Sequence, residues 1–403
     1  MRLRTPAPGL SGLVLALSAA AGCGVFTPVG DATKQRLDVE WARRLYDLEM
    51  FAYHPSEEAR ALFVRSDATP EHGLLVVPTK DRRVLGLDAR DGRTVWELTT
   101  RGPNAAQPVA IGDDDALVAS MDGHVYRIAV RNGRIRWTSD HPGQAMTAPP
   151  VVSRGADPAK ARIFVTSADG RITALSADKG ERLWEQTRPA ETELTMAGAA
   201  GATLVGDNVV TGFADGTVVA YAQLDGATTW STDLSGGGKK DFADVDTTPV
   251  WVPAVADATK PGAAPVGAGV VVVGSFRRGL FGLAADGGDI AWSIKGEGFQ
   301  SPVLDDGVLY VAQASGRVWA IEGDSGHVRW VSDVGEKWAG VPALSRKYLF
   351  VPAGLAMTVL ERGSGHTIMK WDDGRGVRAT PELAFGTLYV FGNSGAFYAM
   401  GVY

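Results

Sequence analysis

Most of the chain is written in short alternating runs. Segments such as "RITAL" (171–175) and "RVWAI" (317–321) put apolar side chains at every second position, the period of a strand. Asp-Gly, Asn-Gly and Ser-Gly pairs bracket these runs and supply the positive φ that tight hairpin turns demand. Upstream of each such run lie two more, for example "QSPVL" and "GVLYVAQA" within 300–314, and downstream lies one that ends on tryptophan. Each unit therefore reads as four antiparallel strands.

The units repeat. "DGHVYRIAVRNGRIRW" (122–137), "DGRITALSADKGERLW" (169–184), "DGTVVAYAQLDGATTW" (215–230) and "SGRVWAIEGDSGHVRW" (315–330) share one frame: Gly, nine residues, Gly, three residues, Trp. The copies at 81–96 and 277–292 keep the second Gly and the Trp but carry Arg82 and Arg278 for the first Gly. A looser copy ends at Trp371, and "SGAFYAM" (394–400) is truncated. One strand position is nearly always small (Gly86, Ala174, Ala220, Gly282, Ala320, Ala399), with Arg127 the exception, and is expected to let a neighbouring sheet pack close. A four-stranded sheet recurring every ~40–50 residues is a propeller blade that buries both faces against its neighbours, so the tryptophans read as inter-blade core. The long interval between Trp230 and Trp292 holds a surface insertion, residues 253–269.

The last unit has three strands and no tryptophan-bearing fourth, while "LDVEWARRL" (37–45) offers Trp41 in a strand-like setting. The reading is thus all-β: an eight-bladed β-propeller over 37–403, closed by an N-terminal strand that leaves no open edge. Seven blades with a helical cap is the alternative, since "EMFAYHPSEEARALFV" (49–64) contains a helix-friendly Glu/Ala/Arg pattern.

Composition narrows the function classes. Fifty glycines in 403 residues suit turns, and a formal charge of −6 gives no basic face for nucleic acid. The single cysteine, Cys23, excludes an internal disulfide and any Cys-based zinc or iron–sulfur site. It follows Arg2, Arg4, an apolar run from Leu10 to Ala21 and Gly22, the form of a secretory signal. A cysteine directly after small residues resembles a bacterial lipoprotein signal, with 1–22 removed, Cys23 lipidated and 23–36 a short polar tether. Losing Arg2 and Arg4 takes the formal charge to −8.

Catalytic motifs are scarce. The six histidines are scattered, no G-x-S-x-G elbow occurs, "GGGKKD" (236–241) lacks the P-loop frame, and "GDDDA" (112–116) lacks the spaced ligands of a calcium loop. The repeat resembles the PQQ-type propeller repeat. In PQQ-dependent dehydrogenases that resemblance would imply adjacent cysteines and a calcium site; one cysteine cannot supply the pair. No cofactor and no metal are expected.

What breaks the repeat is more informative. Proline opens most units: Gln107-Pro108, Ala148-Pro149, Thr248-Pro249, Ser301-Pro302, Val341-Pro342, Thr380-Pro381. Five and three residues before Pro249 stand Asp244 and Asp246, the one pair of acids among the equivalent positions. "ETELTMAG" (191–198) precedes blade 4 as "KKDFADVD" precedes blade 5, so Leu194, Met196, Asp244 and Asp246 are expected on one surface. Apolar groups beside carboxylates on loops suit protein docking; the plainer alternative is that the two aspartates anchor the turn by side-chain-to-backbone bonds.

With its lipoprotein-like start, PQQ-like blades and "DVDTTPV" (244–250), the chain resembles the BamB family of outer-membrane assembly lipoproteins. The resemblance implies a non-catalytic scaffold, lipid-anchored at the periplasmic face of the outer membrane. It also implies a monomer within a complex, holding a periplasmic domain of BamA through these two loops. Leu194 and Met196 would be the apolar contacts and Asp244 and Asp246 the acidic ones; Ala197 stands where the family typically has arginine. A PQQ-type quinoprotein and a cell-envelope ligand-binding propeller are the alternatives.

Overall fold

In the computed structural model the described residues are 25–28, 37–46, 57–65, 73–140, 143–153, 160–188, 200–236, 244–254 and 267–403. They form eight antiparallel sheets and no helix. Blade 1 runs Leu62–Val64, Leu74–Pro78, Arg83–Asp88, Thr94–Thr99, and the same four-strand order recurs through blade 7, which ends at Thr367–Asp372. Blade 8 takes three strands from the C-terminus (Glu382–Ala384, Thr387–Phe391, Ala396–Val402). Its fourth comes from the N-terminus, Leu37–Arg44, registered Leu37↔Val402 to Arg44↔Ala396. The ring is an eight-bladed β-propeller closed by that strand. Residues 57–61 enter blade 1 without helix; 49–56, the rest of the helix-friendly stretch, lie outside the described residues, as do 255–266 of the insertion.

The core is not one core. The buried apolar residues fall into eight clusters, each spanning one seam between adjacent blades. This follows from alternation: a strand whose two faces both meet another sheet is apolar on both, as in "LLVVP" (74–78), buried throughout.

Tryptophan ties the seams. In every blade a β-bulge lies where the fourth strand pairs with the third, as between Gly86 and Leu87, and in six of the eight the tryptophan next to it faces the small residue. The small residue therefore serves its own blade, not a neighbouring sheet: a Cβ on Gly86 would stand 2.1 Å from the Trp96 ring. The indole then reaches across the seam and donates Nε1–H to a carbonyl in the next blade. Trp41 bonds Ala89 (3.0 Å), Trp137 Ala177 (3.2 Å), Trp184 Gln223 (3.0 Å), Trp230 Ala285 (3.2 Å), Trp292 Gly323 (3.2 Å) and Trp330 Arg362 (3.1 Å). Trp96 does the same to Val130 (2.6 Å). Arg127, the exception at the small position, joins in: it donates to Ala177 O (2.8 Å), the carbonyl that Trp137 also uses, and pairs with Asp115 (2.8 Å).

The seam between blades 7 and 8 departs from this rule. Four residues after the motif glycine Gly365 stands Met369, opposite Val359, so a flexible side chain replaces the indole and no small partner is needed. Trp371 sits two residues further on, opposite Met357. It is fully buried against Tyr398 at 5.0 Å, and its Nε1 has no hydrogen-bond partner. It is core, but not the motif tryptophan. Within the expected tether, Val25–Pro28 is a fifth strand on blade 7, registered Val25↔Asp372 to Pro28↔Met369.

These two kinds of tryptophan should respond differently to removal of the N–H. Trp230→Phe is expected to cost about 2 kcal/mol, from the lost bond, the Ala285 carbonyl left behind and the smaller ring. Trp371→Phe removes an unpartnered donor and should cost less than about 1 kcal/mol. Urea unfolding of both variants, followed by far-UV circular dichroism, measures the difference.

Candidate docking site at the axial mouth

The connection into blade 5 is held from both sides. Val245 is 1% exposed; its N–H donates to Phe213 O of blade 4 (3.1 Å), and the Asp244 carbonyl accepts from Phe276 N–H of blade 5 (2.9 Å). A Cβ on Gly212 would lie 2.2 Å from the Val245 side chain, so blade 4 makes room for it by carrying glycine there. Thr247 is buried, with its Oγ1 accepting from Gly274 N–H (2.7 Å), and Thr248 N–H donates to Ser301 Oγ of blade 6 (2.9 Å). "DVDTTPV" is thus a wedge fixed to three blades.

The wedge sets the two aspartates apart. Asp244 is 3% exposed, so its carboxylate does not contribute to a surface as expected from the sequence. Asp246 faces a cavity of about 500 Å³ on the ring axis, and its Oδ1 is buried without a hydrogen-bond partner. Burial, opposed by its own backbone N–H and reinforced by the charge of Asp244, pushes Asp246 up to about 6. Leu194, Met196 and Ala197 lie outside the described residues, as does Cys23.

The cavity wall comes from the equivalent connections of the other blades. Blade 1 supplies Glu58 and Arg60, blade 2 Gln107, blade 3 Thr147, blade 6 Gln300, blade 8 Arg378. Glu58 pairs with Lys80 (3.1 Å) and lies 4.0 Å from Arg378, whose guanidinium sits 5.2 Å over the Trp338 ring. Arg60 is paired with Glu382. Beside Glu58, Glu57 is 2% exposed and accepts Lys80 N–H on both oxygens (3.0 and 3.1 Å); burial pushes it up to about 8.

Sequence comparison missed most of this ring for a specific reason. In blade 3 the strand follows Pro150, not Pro149, which makes Thr147 the counterpart of Asp246 instead of Met146. In blades 6 and 7 the connection is one residue shorter, so Phe299 and Ala339 are buried and Gln300 and Gly340 line the axis. Counting back from proline works only where the connections have equal length. Among the described residues no group of three or more His, Cys, Asp or Glu could hold a metal ion.

A closed ring of eight blades with seven of its seams tied by tryptophan, polar on its axis and asymmetric at the entry to blade 5, is a β-propeller of the PQQ-like repeat class. The chain belongs to the family described as outer membrane protein assembly factor BamB, whose model matches residues 57–151, 80–256 and 243–400. A relative of that name from Bordetella pertussis is 27% identical over 347 residues, covering 82% of this chain and 80% of the relative. The crystal structure of BamB from Moraxella catarrhalis matches with a TM-score of 0.67 at 16% identity, over 94% of this chain and 100% of that one. Quinohemoprotein alcohol dehydrogenase from Comamonas testosteroni matches at 0.66 and 14% identity, over 91% and 76% respectively. At such identities the two structural likenesses speak for the fold alone.

The desolvated carboxylate makes stability depend on pH. The folded value of Asp246 lies above its ordinary one, 3.8, so protons favour the fold. Its contribution is complete below about pH 4 and is lost as pH rises through about 6. Asp246→Asn should therefore match the parent at pH 4 and exceed it by up to ~3 kcal/mol at pH 7.5, read by urea unfolding at both.

Proposed function

We propose that this protein is a non-catalytic scaffold of outer-membrane β-barrel assembly, lipid-anchored through Cys23 at the periplasmic face. It holds a periplasmic domain of a BamA-like protein through the connections into blades 4 and 5. The observation that carries this reading is the fixed "DVDTTPV" wedge within a chain matched by the assembly-factor family over most of its length.

The division of labour follows from burial. Asp244 acts from inside, bracing the wedge and raising its neighbour, while Asp246 presents a poorly hydrated carboxylate at the axial mouth. A cationic group from the partner would recover there the interaction that water does not supply. Leu194 and Met196 supply the apolar part of the contact. A rigid ring suits such a role because little freedom is lost when the partner binds.

The quinoprotein reading keeps one point in its favour, the shared fold. It requires a cysteine pair in the cofactor site, and the chain has one cysteine. Titration with PQQ and calcium, followed by bound-cofactor absorbance, separates the two readings: the scaffold predicts none.

The docking claim is tested by Asp246→Lys combined with Leu194→Glu, both variants folding with a parental melting curve. Co-purification with the BamA-like partner should fall at least about tenfold, since a reversed charge at a desolvated contact costs more than 1.4 kcal/mol. Unchanged co-purification would contradict it.

A further inference from the structure

The fifth strand of blade 7 has a direction, and the direction carries information. Val25 pairs with Asp372 and Pro28 with Met369, so the strand enters at the end of blade 7 from which the chain leaves for blade 8. That end belongs to the face on which all blade-to-blade connections emerge, the face where the axial cavity opens. The chain then descends to the opposite face and returns along Leu37–Arg44, which starts beside Val402 and ends beside Ala396. Among the described residues only blade 7 carries a fifth strand.

We infer that Val25–Pro28 is a strap that fixes the ring's attitude to the bilayer: blade 7 is held at the membrane by the rim of its cavity-bearing face, and blade 3, diametrically opposite, points away from it. This rests on the anchor reading of Cys23. One residue, Gly24, separates Cys23 from Val25, so the lipidated residue lies within roughly 7 Å of the paired strand. A free tether of residues 23–36 would instead let the ring tumble through tens of ångströms.

A short strap alone permits two attitudes, flat or standing on the blade 7 edge. Lying flat would press the cavity mouth and Asp246 against lipid headgroups. It would also lay a chain of formal charge −8 along an anionic surface, which electrostatics opposes. Standing on edge keeps the mouth in water and carries the connections into blades 4 and 5 toward the distal half of the ring. The anchor and the docking loops then share a face but occupy different sectors of it.

The test uses the full-length lipidated protein on vesicles of phosphatidylethanolamine and phosphatidylglycerol, with a fluorophore on a single introduced cysteine. Arg375→Cys marks the blade 7 rim and Thr187→Cys the blade 3 rim; both positions are exposed and both lie at the cavity face. A headgroup-borne quencher should quench the Arg375 label several-fold more than the Thr187 label. Replacing Val25–Pro28 with Gly-Ser-Gly-Ser, which keeps the length and removes the strand, should abolish that contrast. Equal quenching in the parent, or a contrast that survives the replacement, overturns the strap. Failure of the parent to bind vesicles at all overturns the anchor reading, and is distinguished from the other outcomes by co-sedimentation.

Discussion

Six of the eight seams of this ring depend on one side chain doing two things. The bulge in the fourth strand turns a tryptophan over a residue small enough to lie beneath it, and the indole N–H then crosses to a carbonyl of the next blade. The first contact fixes the ring plane; the second fixes its reach. Because the acceptor always lies in the turn that follows the neighbour's third strand, seven of the eight blades are positioned in the same way by a tryptophan of the one before. Rigidity in such a ring is cumulative: a loosened seam lets its neighbours splay.

The closing seams show what the N-terminal strand contributes. Trp41 arrives from the far end of the sequence, yet faces Ala399 and bonds Ala89 as its counterparts do elsewhere. It makes the eighth blade an ordinary donor to the first. The seam before it is built differently, with Met369 at the tryptophan position and Trp371 buried without an acceptor. It is also the blade that carries the added strand Val25–Pro28, so its outer edge is covered by chain rather than open.

The repeat frame made the blades legible in the sequence, because the turn glycines and tryptophans are set by local geometry that recurs in each copy. Trp41 was recognisable for the same reason, as the one tryptophan that the truncated last copy lacked. What was not legible came from contacts between copies. That Gly86 accommodates its own Trp96, that Arg127 supports Trp137, and that Met369 replaces an indole all require knowing which residues face each other. The site was half legible: the acids of "DVDTTPV" stood out by breaking the pattern, but their separation into a buried Asp244 and an axial Asp246 depends on clamps from blades 4, 5 and 6. Thr147, Gln300 and Gly340 escaped notice as axial residues because connections of unequal length shift the register.

Closure by residues 37–44 is the condition for everything else: a fixed wedge, a defined mouth and a strap with a meaningful direction. Native-state hydrogen exchange followed by mass spectrometry tests that condition. Peptides covering Leu37–Arg44 should exchange as slowly as the central strands of the blades, opening only with the whole ring. Early exchange of that strand, while blades 1 and 8 stay protected, would contradict it.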